Sequence, residues 1–94
     1  KRKIVQAINI HIFGHVQGVG FRYSTQLIAR KHHITGVVWN VSDGTVTIEA
    51  QGAEADIEHF VAAIKANPSP FARIDQVIVT AGTVDENRRT FRTI

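Results

Sequence analysis

The sequence predicts an α+β fold in which two helices lie on one face of an antiparallel β-sheet. Three features carry that expectation. Short segments rich in Val, Ile and Thr alternate apolar with polar residues, as half-buried strands do. Two longer segments between them repeat apolar residues three and four positions apart, the stripe of an amphipathic helix. Glycine or proline stands at most of the places where one pattern gives way to the other.

From Val5 to Phe13, Ile8, Ile10 and Ile12 alternate with Asn9 and His11, which predicts a first strand ending at Gly14. The next stretch, Gly14-His15-Val16-Gln17-Gly18-Val19-Gly20, holds three glycines and reads as a loop with a task for its backbone. Helical spacing then takes over to about His33: Phe21, Thr25, Ile28 and Ala29 form an inward stripe, with Arg22, Gln26 and Arg30 to one side. Thr35-Gly36 breaks this helix. Val37 to Val41 and Thr45 to Ala50 read as the two strands of a hairpin joined through Ser42-Asp43-Gly44. A second helix over Ala53 to Ala66 places Ala53, Ile57, Phe60, Val61 and Ile64 on one stripe. Asn67-Pro68-Ser69-Pro70 stops it, because proline has no amide to continue the ladder. Ile74 to Ala81 makes a fourth strand and Thr90 to Ile94 a short last one. Phe13, Phe21, Phe60, Phe71 and Phe91 fall within or beside these patterns and are expected in the core. The order βαββαβ is the split-βαβ, or ferredoxin-like, sandwich, expected here as a single domain over residues 1–94. Such an architecture serves many functions, so function has to be read from particular residues.

Composition narrows the choice. The chain has no cysteine, which excludes disulfides, thiolate nucleophiles and Cys-based zinc sites and fits a reducing, cytoplasmic location. Its apolar runs are far shorter than the roughly 20 residues that span a bilayer, and the N-terminal segment lacks the pattern of a secretory signal. A net charge of +3 favours anionic ligands. The basic residues are nevertheless dispersed, and their clusters, Lys1-Arg2-Lys3, Arg30-Lys31 and Arg88-Arg89, read as solvated surface rather than a nucleic-acid groove. The histidines His11, His15, His32, His33 and His59 do not share a spacing that would complete a metal tetrahedron, so no metal is expected.

The chemistry is expected in the loop. Between a strand and a helix, backbone NH groups can converge on an anion while the helix dipole adds partial positive charge, and glycine permits the positive φ angles that such a cradle needs. Arg22 at the helix start would add a planar fork matched to two phosphate oxygens. By spacing alone, a glycine-rich turn beside a solvent-facing arginine is an equal reading.

Residue identities break the tie. Gly14-His15-Val16-Gln17-Gly18-Val19-Gly20-Phe21-Arg22 resembles the first signature of the acylphosphatase family, G-x-V-Q-G-V-x-F-R. Gly36-Val37-Val38-Trp39-Asn40-Val41-Ser42-Asp43-Gly44-Thr45-Val46, reaching Gly52, resembles the second. The resemblance spans essentially the whole chain and implies a metal-independent, cofactor-free hydrolase of small acyl phosphates such as acetyl phosphate or 1,3-bisphosphoglycerate. Small size and the lack of an extra apolar stripe lead us to expect a monomer. It implies that the amides of His15, Val16, Gln17, Gly18, Val19, Gly20 and Phe21, with the Arg22 guanidinium, bind phosphate, and that Asn40 holds the attacking water. Val37 stands where the family usually has an aromatic residue, and Trp39 where a small or polar one is common. Strand alternation should turn Trp39 away from Asn40. Val41 lacks the hydroxyl that some members carry next to the asparagine, and Thr45 across the hairpin is expected to supply one that steadies Asn40. Two alternatives come from other classes: a carbamoyl-phosphate-binding module like that at the N-terminus of a hydrogenase-maturation carbamoyltransferase, and an RRM-type RNA-binding domain. The second lacks the RRM aromatic pattern.

Overall fold

The computed structural model describes residues 4–94; the basic cluster at residues 1–3 lies outside the described residues. Strands β1 (Val5–His15), β2 (Thr35–Asn40), β3 (Val46–Ala53), β4 (Arg73–Ala81) and β5 (Phe91–Thr93) form one sheet in the order β4-β1-β3-β2-β5. Helices α1 (Phe21–Lys31) and α2 (Glu54–Lys65) cover one face of it. Ladder register explains which face. Ile10 opposes Ile48, Ile12 opposes Val46 and Val38 opposes Ile48, so the apolar half of every alternation points the same way. These side chains are sealed by Phe21 and Ala29 of α1 and by Ile57, Phe60 and Ile64 of α2, all 5% exposed or less. The alternate residues, Asn9, His11, Trp39, Thr47, Glu49 and Ile78, line the opposite, helix-free face. No helix among the described residues is long and apolar enough to cross a membrane.

The expected element order is present, with instructive differences. The four strands β4-β1-β3-β2 pair antiparallel as expected, but β5 joins the edge parallel to β2, so the sheet is mixed. A three-residue strand carries too little pattern to reveal its direction. Helix α1 stops at Lys31, before His33: His33 takes a left-handed φ of 59°, and Ile34 N donates back to Ala29 O at 2.8 Å. Phe21, Phe60 and Phe91 are core residues as expected, whereas Phe13 stacks on His11 at 4.6 Å on the helix-free face and Phe71 is 77% exposed.

β1 runs two residues past Phe13, through an irregularity between Phe13 and Gly14, to close opposite Arg73 at His15. Gly14 therefore belongs to the sheet rather than to the loop. Its φ is 137°, and a Cβ built there would collide with the Arg73 carbonyl oxygen of β4. Gly14→Ala is expected to lower the free energy of unfolding by about 2 kcal/mol or more. The measurement is a urea titration, with a lower midpoint at unchanged slope.

Candidate functional site

The loop between β1 and α1 is fastened by its side chains and leaves its backbone amides open. Val16 is 1% exposed in the core, and Val19 packs against the same core. Gln17 Nε2 donates to the carbonyl oxygens of Val41 at 2.7 Å and Thr45 at 2.9 Å, fixing the loop to the β2–β3 turn. On its other flank the buried Ser69 hydroxyl donates to Val19 O at 2.6 Å, fixing the loop to the turn after α2. Gly18 and Gly20 adopt φ of 74° and 79°, with nothing within 4 Å of where a Cβ would stand. Glycine is needed there for conformation and for open approach from outside.

Among the described residues, the amides of Gln17 through Tyr23 find no protein acceptor; the first bond of α1 runs from Ser24 N to Gly20 O at 3.0 Å. Such a run of NH groups at a helix start, with the helix dipole behind it, can take up an anion. The two helices differ in how this end is treated. Neither helix start has a side-chain cap, but α2 carries Glu54 and Asp56 in its first turn, whereas α1 has no acidic residue there. Nothing on α1 competes for an incoming anion.

Arg22 stands at this opening, half-buried, with Nη1 donating to Ile94 O at 2.9 Å; Ile94 N in turn donates to Val38 O at 3.0 Å. One guanidinium N–H is thus used for aim and the others remain for a ligand. Asn40, the last residue of β2, pairs with Val46 and so faces the helix side, and its Oδ1 is buried without a partner among the protein atoms. Trp39, opposite Thr47, points to the other face. Two ties join Asn40 to the loop: Arg22 through Ile94 to Val38, and Gln17 to Val41 and Thr45. His15 is exposed and still in β1, at the rim.

The Thr45 hydroxyl does not meet Asn40. Because Asn40 and Val46 share one face, Thr45, next to Val46, is directed to the other. Its hydroxyl donates to Asp43 Oδ1 at 2.6 Å and lies 2.6 Å from His11 Nε2. The Thr45 amide also donates to Asp43 Oδ1, at 3.0 Å. The Thr45 hydroxyl and then the Thr45 amide hold the Asp43 carboxyl below its ordinary value. Sequence reasoning treated Gln17 only through its backbone and missed Ser69 and His11. A serine between two prolines in the turn facing the loop was the one available signal for Ser69. Among the described residues no group of three His, Asp or Glu side chains is arranged to hold a metal, although His32 and His59 lie 5.9 Å apart, ring to ring.

The acylphosphatase family model matches residues 8–93. An acylphosphatase of Latilactobacillus sakei subsp. sakei (strain 23K) is 48% identical over 75 residues, which cover 80% of this chain and 82% of that protein. The crystal structure of acylphosphatase from Bacillus subtilis is similar with a TM-score of 0.89 and 37% identity, over 97% of this chain and 99% of that one. Full-length HypF, in a phosphate- and nucleotide-bound form, contains a region with a TM-score of 0.92 and 40% identity, covering 100% of this chain and 12% of HypF.

Two outcomes follow from this geometry. Ser69→Ala frees Val19 O and one flank of the loop, and is expected to weaken inorganic phosphate binding about fivefold, the equivalent of one hydrogen bond, by isothermal titration calorimetry. Asp43 has a folded value below its unfolded one of about 4, so its bonds contribute stability that is complete above that pH and is lost as pH falls through the folded value. Asp75, lowered by the Arg73 guanidinium bonded to it, acts in the same direction. Urea midpoints measured downward from about pH 6 should therefore fall less steeply below about pH 4 in Asp43→Asn than in the wild type, with the Asp75 share of the slope retained.

Proposed function

We propose, from the premise that the chain belongs to the acylphosphatase family, that it hydrolyses small acyl phosphates at the β1–α1 loop, with Arg22 and Asn40 as its catalytic residues. The observation that carries this reading is the run of amides from Gln17 to Tyr23 without a protein acceptor, at a helix start free of acidic side chains. The loop amides and the Arg22 guanidinium hold the phosphoryl oxygens and balance the charge that builds on them in the transition state. Asn40, through its buried and otherwise unpartnered amide oxygen, accepts a hydrogen bond from the attacking water and aims it at phosphorus.

The water oxygen bonds to phosphorus, the bond from phosphorus to the acyl oxygen breaks, and its electron pair leaves on the carboxylate. A phosphate oxygen takes the water's proton. The carboxylate is a good leaving group, so neither a general base nor a nucleophilic side chain is required. Metal independence belongs to this proposal, since a cradle of NH donors and a guanidinium takes up an anion directly. Every group involved comes from one chain, which fits a monomer, and the absence of cysteine fits a cytoplasmic setting. The carbamoyl-phosphate-module reading is less favoured, because the relative at 48% identity is an acylphosphatase matched over 82% of its length.

The test is release of inorganic phosphate from benzoyl phosphate with and without EDTA. Hydrolysis unaffected by EDTA is expected in the wild type. Arg22→Ala should lower kcat/KM at least about 10²-fold and weaken inhibition by phosphate, as loss of a charged transition-state contact does. Asn40→Ala should lower kcat by about 10²-fold or more while the phosphate inhibition constant stays within about twofold. An Asn40 variant with wild-type turnover would remove the role given to it.

A further inference from the structure

We infer that His11, outside both sequence signatures, is a positioning residue for this hydrolysis: through Thr45 it fixes the turn that receives the Gln17 side chain of the loop and follows Asn40. The inference rests on the proposed reaction.

The hydrogen bonds have one consistent polarity. Thr45 has a single hydroxyl proton, and its 2.6 Å contact with Asp43 Oδ1 requires that proton, because the carboxylate can only accept. The oxygen of Thr45 must then accept from His11, which makes Nε2 the donor across 2.6 Å. Neutral imidazole in that tautomer and imidazolium both donate at Nε2, so the bond does not depend on the charge of the ring.

The anchor is a rigid one. His11 sits on β1, paired with Thr47 of β3 on one side and Ile78 of β4 on the other, and its ring packs on Phe13. The element that it holds has no such support, since residues 41–45 are a turn at the end of a hairpin. One connection of that turn to the loop runs from Gln17 Nε2 to Val41 O, and the others pass through Thr45. The Thr45 amide and hydroxyl go to Asp43, the hydroxyl oxygen accepts from His11, and the carbonyl accepts from both Val41 N, at 2.8 Å, and Gln17 Nε2. His11 is thus the only side chain of β1 in this network, and it grips the turn from the face opposite Asn40. Val16 and Ser69 secure the phosphate loop independently, so loosening the turn disturbs the water's aim more than it disturbs anion binding.

The experiment compares His11→Leu, which keeps the packing on Phe13 and removes the donor, with His11→Gln, which restores an NH near the same place. Thr45→Val and the double variant complete a cycle. Benzoyl phosphate turnover and inhibition by inorganic phosphate are measured for each. We expect His11→Leu to lose about five- to tenfold in kcat, the scale of one hydrogen bond, with the phosphate inhibition constant within about twofold of wild type. His11→Gln should recover most of kcat, and His11→Leu combined with Thr45→Val should cost no more than Thr45→Val alone, because both remove the same contact. Thr45→Val keeps the side-chain shape and reads that contact from its other partner, so the test stands even where His11→Leu folds poorly. Wild-type kcat in His11→Leu, equal losses in the Leu and Gln variants, or losses that multiply in the double variant would each overturn the inference and leave the acylphosphatase reading intact. A folded wild type that releases no phosphate would overturn both.

Discussion

A backbone that is to receive an anion must leave its amides without protein partners, and a loop without backbone hydrogen bonds has nothing of its own to hold its shape. This constraint organises the structure around residues 16–23. Where a helix or strand would use the amides for stability, this loop uses side chains: Val16 in the core, Gln17 on the hairpin turn, Ser69 on Val19. Glycines at 18 and 20 supply the left-handed backbone conformations that a concave run of NH groups uses. The contrast with α2, whose first turn carries its own carboxylates, shows that an open helix start is a local choice of sequence and not a general property of the fold.

Sheet topology brings the fastening partners within reach. β1 ends, β3 begins and β4 begins at the same edge of the sheet, as the pairings Ile12–Val46 and His15–Arg73 require. The loop, the hairpin turn and the turn after α2 therefore meet there without any long connection. Strand alternation divides the labour at that edge. Asn40 goes to the helix side with the loop and Arg22, while His11, Thr45 and Trp39 go to the other side, so the supporting hydrogen bonds are separated by the sheet from the groups proposed to react.

Most of this fold was legible because the signals are local. The alternation of Ile8, Ile10 and Ile12, the stripe from Phe21 to Ala29 and the proline stop after Asn67 each depend on neighbours in sequence. The loop and its arginine were legible for the same reason, since glycines, helix start and Arg22 lie within nine positions. Register over long separations was not. The direction of β5, the burial of Gly14 against Arg73 and the side of the sheet taken by Thr45 all depend on which residue stands opposite which. Thr45 is the clearest case: its closeness to Asn40 across the hairpin suggested a bond, and a shift of one position in a pleated strand sends its hydroxyl the other way. Phe71 failed differently, because an aromatic residue beside a proline turn has no partner that a sequence pattern can supply.

The Arg22–Ile94 hydrogen bond has a consequence for how the molecule acquires its competence. Its two ends are 72 positions apart in the chain, on a helix that begins early and on the residue just after the strand at the edge of the sheet. Contacts of that separation carry a large loop-closure entropy and form after local ones in most small proteins. The amides of the loop gather once β1, α1, the hairpin and the turn carrying Ser69 have docked, but the guanidinium bond to Ile94 needs β5 laid along β2. On the roles proposed for them, the anion cradle and the aimed guanidinium are therefore completed by contacts of different sequence separation, and the last strand matters to the second more than to the first.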